Sequence, residues 1–198
     1  MNSNRMEAFS DGVLAVIITI MVLELKAPHH ASSFLSLKPL LPIFMSYLLS
    51  FIFIGIYWNN HHHLLQSIEK VNGKILWANL HLLFWLSLVP FFTSCMGENH
   101  FMNWSVALYG TDLLGAAIAY HILTKVLITH HGDDSLLSKA YGYGKKEIAS
   151  TMLYIIAIPV AFIYSFFSYA IYITVAIMWL IPDRRIENCI EKVAATAE

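Results

Sequence analysis

The sequence predicts an all-α membrane protein with six transmembrane helices, and three observations support this fold class. Of the 198 residues, 58% are hydrophobic and only 13% are charged, whereas water-soluble domains are about half apolar and about a quarter charged. The mean hydropathy is +0.61. The apolar residues also fall into six separate runs, and a bilayer core about 30 Å thick requires roughly 20 such residues per helix. We therefore expect residues 1–198 to form a single membrane domain.

The six apolar runs set the bounds of the predicted helices. They cover residues 8–25, 40–65, 75–96, 104–128, 150–164 and 166–181. The last two runs are short and are separated by a turn near Ser165. The first run lacks a small-residue cleavage site and is followed by further spans, so we expect it to be a retained helix and not a signal peptide.

The basic residues predict the orientation of these helices in the membrane. An even number of spans places both termini on one side, together with a loop at 130–146 that contains "HHGDDS" and "GYGKK" and a polar tail at 183–198. With a cytoplasmic N-terminus, ten basic residues lie inside: Arg5, Lys70, Lys74, Lys125, Lys139, Lys145, Lys146, Arg184, Arg185 and Lys192. Only Lys26 and Lys38 lie outside. This asymmetry follows the positive-inside rule, so both termini are predicted to be cytoplasmic.

Composition and spacing exclude several classes of function. A net charge of −1 without a basic patch argues against a nucleic-acid partner. Cys95 and Cys189 are far apart and fit neither a disulfide framework nor a Cys-rich metal site. The clusters "NNHHH" and "THHGDD" have the residues of a metalloenzyme but not the spacing, because adjacent histidines on a helix point about 100° apart. We therefore predict no enzyme activity, no metal site and no cofactor.

Polar side chains gather at the predicted cytoplasmic ends of the first three helices. They are Arg5, Ser10 and Asp11 in the first helix, Trp58, His61, His62 and His63 in the second, and Asn79 in the third. Because successive helices alternate in direction, Asp11, His62 or His63, and Asn79 can share one network. A carboxylate in hydrocarbon needs hydrogen-bond donors, so the network is either a structural clamp or a site that binds ions or handles protons.

A stripe of apolar residues follows Asp11 along the first helix. Steps of three and four residues lead to Val16, to Thr19 or Ile20, and to Leu23. In an isolated helix this stripe is a packing face. Around an axis shared by several copies, it would form stacked apolar rings with hydroxyls between them, which can gate by dewetting and select ions by replacing hydration water. Periodicity alone does not decide between the two.

The opening motif resembles that of a known channel family. In "RMEAFSDGV", Arg5, Phe9, Ser10 and Asp11 match the Arg-x-x-x-Phe-Ser-Asp signature of the transmembrane protein 175 potassium channel family. The segments "AVIITIMVLEL", "YWNNHHHLL" and "NLHLLFWLSLVPFFT" are similar to the remainder of that family's first three helices. The similarity covers the first hundred residues. The length and the single signature resemble the prokaryotic branch, which has six helices per subunit and is expected in the plasma membrane.

The resemblance implies a homotetramer in the lipid bilayer whose four first helices line a pore for monovalent cations. It implies a passive, weakly potassium-selective channel with an apolar constriction, K⁺ near the hydroxyl ring, and no carbonyl selectivity filter. The implied pore-lining residues are Val16, Thr19, Ile20 and Leu23. The implied structural polar network comprises Arg5, Phe9, Ser10, Asp11, Trp58, His61, His62 and Asn79.

The resemblance leaves two assignments open. Members of the family commonly carry Ile or Leu at the position of Val16, so the narrowest ring is formed by Val16, by Leu23 or by Ile20. The histidine of the network is His61 by Trp-x-x-His spacing and His62 by Trp-x-x-x-His spacing.

Other polar residues along the chain allow further alternatives. A proton-coupled secondary transporter could use Asp11, Asp112 and histidines as a relay, but inverted repeats and matched mid-membrane Gly or Pro breaks are missing. We expect Asp112 and His121 to be packed polar groups. Glu24 either concentrates cations at the outer mouth, pairs with Lys26 or faces lipid headgroups.

Overall fold

The computed structural model describes residues 3–27, 33–66, 68, 71–131 and 144–180. Within these ranges the chain forms six α-helices and a short 3₁₀ helix at Phe34–Leu40, and no strand. The α-helices are α1 (Ser3–Leu23), α2 (Leu41–Gln66), α3 (Gly73–Glu98), α4 (Asn103–His131), α5 (Lys145–Ala161) and α6 (Ser165–Leu180). The six-helix, all-α fold class predicted from the sequence is confirmed.

Several helices extend beyond the predicted apolar runs. α1 begins at Ser3, α4 continues to His131, and α5 begins at Lys145, so parts of the predicted 130–146 loop are helical. Hydropathy identifies the part of a helix that matches the hydrocarbon core, whereas the backbone hydrogen bonds continue into polar flanking residues. Residues 132–143 of that loop and the whole predicted tail at 183–198 lie outside the described residues.

Four of the described helices have the length and the apolar composition to cross a bilayer. They are α1, α2 together with the 3₁₀ helix before it, α3 and α4. α5 has 17 residues and α6 has 16, which gives each a length of about 25 Å. These two helices form a hairpin through the turn at Phe162–Tyr164, as the short last two runs predict.

Local chemistry explains where two of the helices begin. The side chain of Asn72 accepts a hydrogen bond of 3.0 Å from the backbone N–H of Ile75, and this caps the N-terminus of α3. Pro42 lies in the first turn of α2, where a missing backbone N–H costs nothing because that group has no intrahelical partner.

The helices enclose two apolar cores, and this arrangement determines the position of α1. The first core contains side chains from α1, α2, α3 and α4, among them Leu14, Leu82 and Leu123. The second core contains side chains from α2, α4, α5 and α6, among them Phe53 and Tyr172. α4 therefore lies at the centre of the subunit. α1 packs on α2 and α3 at one side, and α5 and α6 pack on α4 at the other.

Small residues let α4 approach its neighbours closely. A β-carbon at Gly110 would overlap the hydroxyl group of Tyr172 in α6, and one at Gly115 would overlap the indole ring of Trp85 in α3. Side-chain bulk at either position would push the helices apart. Close approach through small residues is a common way to pack transmembrane helices.

We expect Gly110→Ala to destabilise the folded subunit by about 1–3 kcal/mol, because the added methyl group overpacks a filled interface. Gly55→Ala in α2 is the matched control, since a β-carbon there meets no atom within 4 Å. Thermal unfolding of the purified protein in detergent measures both variants. Equal melting temperatures for the two would contradict the tight contact between α4 and α6.

Candidate functional site

α1 has two distinct faces. One face is buried against α2 and α3 and carries Met6, Ser10, Leu14, Ile17 and Met21 at helical spacing. The opposite face is exposed and carries Phe9, Val16, Thr19, Ile20 and Leu23. Leu23 is 71% exposed and Val16 is 54% exposed, although both are apolar. The four residues of the predicted stripe thus lie together on a surface that the described residues of the chain do not cover.

Thr19 presents oxygen lone pairs on this exposed face. Its hydroxyl group donates to the backbone carbonyls of Val16, at 2.9 Å, and Ala15, at 3.1 Å. The one hydroxyl hydrogen is therefore used within the helix. The oxygen of Thr19 remains free to accept, and this suits it to contact a cation or a water molecule.

A cleft of about 850 Å³ runs along the same side of the subunit, between α1 and α3. On one side it extends from Ala8 of α1 to Glu24, just beyond the end of that helix, and on α3 it includes Ser87, Phe91 and Ser94. At one end, the hydroxyl of Ser94 donates to Oε2 of Glu24 over 3.2 Å. Among the described residues, Glu24 has this partner and forms no ion pair with Lys26.

Three buried side chains join α1 to α2 and α3, and we call them the buried clamp: Ser10, His61 and Asn79. The side-chain amide of Asn79 donates to Oγ of Ser10 at 3.0 Å, and its oxygen lies 2.7 Å from Nε2 of His61. With this orientation of the amide, Nε2 of His61 is the donor. All three residues are at most 1% exposed. The clamp therefore pairs the Asn79 amide with the Ser10 hydroxyl and with Nε2 of His61 where water does not reach. Nδ1 of His61 has no hydrogen-bond partner among the described residues.

Two further contacts join α1 to α2 beside the buried clamp. The indole N–H of Trp58 donates to Oδ1 of Asp11 at 3.0 Å. Nδ1 of His62 lies 2.8 Å from Oε1 of Glu7, and Nε2 of His62 lies 2.8 Å from the amide of Gln66. The rings of Trp58 and His62 also stack, with centroids 6.1 Å apart. These contacts are partly exposed, so each contributes less to the stability of the folded subunit than a buried contact does.

The structure divides the predicted polar network into separate contacts. His61 and His62 both join α2 to α1 or α3, but they do so in different contacts. Asp11 does not contact Asn79 directly. The side chains of Arg5 and Phe9 are exposed, and the Arg5 guanidinium has no hydrogen-bond partner among the described residues.

Sequence reasoning missed Glu7. Its signal is a carboxylate one turn before Asp11, on the same side of α1. Asp112 and His121 in α4 lie away from these contacts. Asp112 is fully buried, and both side chains include buried atoms without a hydrogen-bond partner in the described part of the chain.

The described residues include no group of three or more His, Cys, Asp or Glu side chains that could hold a metal ion. Neighbouring histidines in the run at 61–63 project in different directions. His61 faces Asn79 and His62 faces Glu7.

Comparison with known proteins identifies the family. A family model described as "Endosomal/lysosomal potassium channel TMEM175" matches residues 5–90. A potassium channel of Chryseobacterium sp. (strain P1-3) is 54% identical over 192 residues, which cover 97% of this chain and 100% of that protein. The chain belongs to the TMEM175 family. The resemblance predicted from the opening motif is confirmed.

Two further proteins align with most of the chain. A potassium channel of Chamaesiphon minutus is 31% identical over 191 residues, covering 88% of this chain and 92% of that protein. The crystal structure of a lysosomal potassium-selective channel TMEM175 homolog from Chamaesiphon minutus superposes with a TM-score of 0.80 and 28% identity. That alignment covers 91% of this chain and 97% of the homologous chain.

The TMEM175 assignment gives the site its context. TMEM175 is a family of transmembrane ion channels, which confirms the predictions that this chain is a multi-pass membrane protein and not an enzyme. The matched residues 5–90 contain α1 from Arg5 onward, α2 and most of α3. The exposed face of α1 and the buried clamp therefore both lie within the region that the family model describes.

We expect Asn79→Leu to destabilise the protein by about 2 kcal/mol, because His61 and Ser10 lose their buried partner. Asn60→Leu is the control, since the Asn60 amide bonds only to the carbonyl of Ile56 in its own helix. Thermal unfolding in detergent compares the two variants with the wild type. A wild-type melting temperature for Asn79→Leu would show that the buried clamp contributes nothing to stability.

Proposed function

We propose that this chain is one subunit of a passive potassium channel, in which four copies assemble so that their α1 helices line a central pore. The observation that carries the proposal is the exposed stripe of Val16, Thr19, Ile20 and Leu23 on α1. The family consists of channels, and the most similar relatives given above are named potassium channels. A neighbouring copy would cover apolar surface that the subunit leaves exposed.

The apolar residues of the stripe form the constriction in this proposal. With a rise of 1.5 Å per residue, Thr19 lies about 4.5 Å from Val16 and about 6 Å from Leu23 along the helix axis. Four copies would stack apolar rings on both sides of a ring of hydroxyls. Narrow apolar rings resist the entry of water and can therefore act as a gate. Val16, Ile20 and Leu23 are the candidates for the narrowest ring.

The Thr19 hydroxyls account for a weak preference for potassium over sodium. Because the hydroxyl hydrogen is donated to the backbone, each Thr19 offers only an acceptor to a permeating cation. The stripe residues carry no charge, so discrimination depends on how much hydration water a cation loses in passing. The larger K⁺ loses its water at lower cost than Na⁺. The expected selectivity for K⁺ over Na⁺ is therefore modest, and it requires neither a carbonyl filter nor a cofactor.

The polar contacts at the start of α1 serve as a structural clamp in this mechanism. They involve the face that α1 turns toward α2 and α3, while the stripe lies on the opposite face. The clamp fixes the rotation of α1 about its own axis, and this rotation decides which residues face the pore. We propose that Asp11 acts through this role and not by binding the permeant ion.

We propose that the channel lies in the plasma membrane with both termini in the cytoplasm. The support is the distribution of basic residues, ten on the proposed inner side and two on the outer side. In this orientation the clamp lies near the cytoplasmic end of α1. Glu24, bonded to Ser94, lies at the outer mouth, where its carboxylate raises the local concentration of cations.

We expect Thr19→Val to reduce or abolish the preference for K⁺ over Na⁺ while leaving passive flux, because the variant removes only the hydroxyl ring. Flux of each ion from liposomes containing the purified protein measures the ratio. Thr174→Val is the matched control, since the Thr174 hydroxyl makes the same kind of bond to its own helix on the exposed face of α6.

An unchanged ion ratio in Thr19→Val would remove Thr19 from the pathway. Flux by the wild type that requires a proton gradient would favour a secondary transporter over a channel.

We expect Val16→Asn or Leu23→Asn to change the K⁺ flux severalfold, because a polar ring wets an apolar constriction. Ile177→Asn makes the same kind of change on α6, where Ile177 is also exposed, and should leave the flux close to wild type. The same liposome assay measures all three. Wild-type flux in both α1 variants would exclude the stripe as the pore lining.

A further inference from the structure

An acidic residue lies in the interior of the subunit, away from the α1 face. Asp112 is in α4, at the centre of the bundle, and none of its surface is exposed. It lies about 13 Å from the start of a helix that is long enough to cross the bilayer. A carboxyl group at such a position is costly unless it is paired or uncharged.

The two oxygens of Asp112 have no hydrogen-bond partner among the described residues. No described basic side chain forms an ion pair with it. The polar groups within electrostatic range are the phenol groups of Tyr57 in α2 and Tyr109 in α4. An ionised carboxylate here would have neither a counter-charge nor a donor.

The hydroxyl groups of Thr93, Ser50 and Tyr109 form a chain in which each donates its hydrogen to another group of that chain or to a backbone carbonyl. Thr93 in α3 donates to the carbonyl of Val89 at 2.6 Å. Ser50 in α2 lies 2.6 Å from the Thr93 hydroxyl, so Ser50 is the donor in that contact. Tyr109 lies 2.9 Å from the Ser50 hydroxyl and is the donor there, for the same reason. The chain Tyr109 to Ser50 to Thr93 to Val89 therefore has one direction, and none of its hydroxyl hydrogens is available to Asp112.

The same hydrogen-bond chain leaves an acceptor available. Each hydroxyl oxygen has two lone pairs, and the phenol oxygen of Tyr109 accepts no hydrogen bond among the described residues. Tyr109 precedes Asp112 by three positions, so the two side chains lie on the same side of α4. The phenol oxygen of Tyr109 is therefore free to accept, and it makes no hydrogen bond with Asp112 as the two side chains are placed.

We propose that Asp112 is an internal proton-binding site, occupied when the subunit is folded, and separate from the proposed central ion pathway. The ligand is a proton, which converts the carboxylate into a neutral carboxylic acid. The neutral acid removes the cost of a bare charge in the interior of the bundle. Each subunit carries this site whether or not four copies form a pore, so the proposal does not depend on the channel function.

Infrared spectroscopy of the purified protein tests the proposal directly. With ¹³C-labelled aspartate carboxyl groups, the carbonyl stretch of a protonated aspartic acid should be present at neutral pH and should shift with the isotope. The band should vanish in Asp112→Asn, which keeps the shape of the side chain but holds no acidic proton. It should persist in Asp11→Asn, since Asp11 accepts a hydrogen bond from Trp58. Absence of the band in the wild type would overturn the proposal.

Asp112→Leu provides a second variant if the amide does not fit, because an apolar side chain of similar size needs no partner. The band should vanish in this variant as well, and its survival in both variants would also overturn the assignment.

A stability measurement provides an independent readout. Ionising Asp112 costs free energy only in the folded state, so raising the pH from about 6 to about 9 should lower the wild-type melting temperature relative to Asp112→Asn or Asp112→Leu. The titratable groups near Asp112 are Tyr57 and Tyr109, and phenol groups titrate near pH 10 in water. Melting temperatures that change in parallel in wild type and variants would contradict a proton on Asp112.

Discussion

The architecture of this subunit depends on the hydrogen bonds of Asn79 with Ser10 and His61. In an apolar interior, each of these polar groups would cost free energy if it lacked a partner, so the three side chains hold α1 in one rotation against α2 and α3. That rotation places Leu14 and Ile17 inside and Val16 and Leu23 outside. The proposed pore lining is thus a consequence of the buried hydrogen bonds made on the opposite face of the same helix.

The subunit is organised around α4, which separates two regions with different chemistry. On one side, α1 carries an apolar exposed face that is available to other copies of the chain. On the other, α4 carries the buried Asp112, and Tyr109 and Leu113 beside it belong to the second apolar core. Ion passage at the first region and proton binding at the second would be separate properties of one fold, linked through the packing of α2, α3 and α4.

The sequence predicted the number and order of the helices and the stripe on α1, because both follow from hydropathy and a period of 3.6 residues. It did not locate the polar ends of α1, α4 and α5, since hydropathy reports only the apolar part of a helix. It also left His61 and His62 as alternatives, because the choice between neighbours 100° apart depends on how α2 is rotated against α3. The contact of Glu7 with His62 and the lack of hydrogen-bond partners for Asp112 depend on side chains from other helices. A pattern along one helix does not reveal them.

In the proposed channel the exposed face of α1 lines the ion pathway. Cysteine accessibility along α1 measures this arrangement directly. In a background with both native cysteines replaced by serine, single cysteines are placed at positions 16, 20 and 23 and at positions 14, 17 and 21. A charged thiol reagent is then applied while K⁺ current is recorded. Inhibition is expected at 16, 20 and 23 and not at the three positions that face the bundle. Inhibition confined to the bundle-facing positions, or at none of the six, would contradict it.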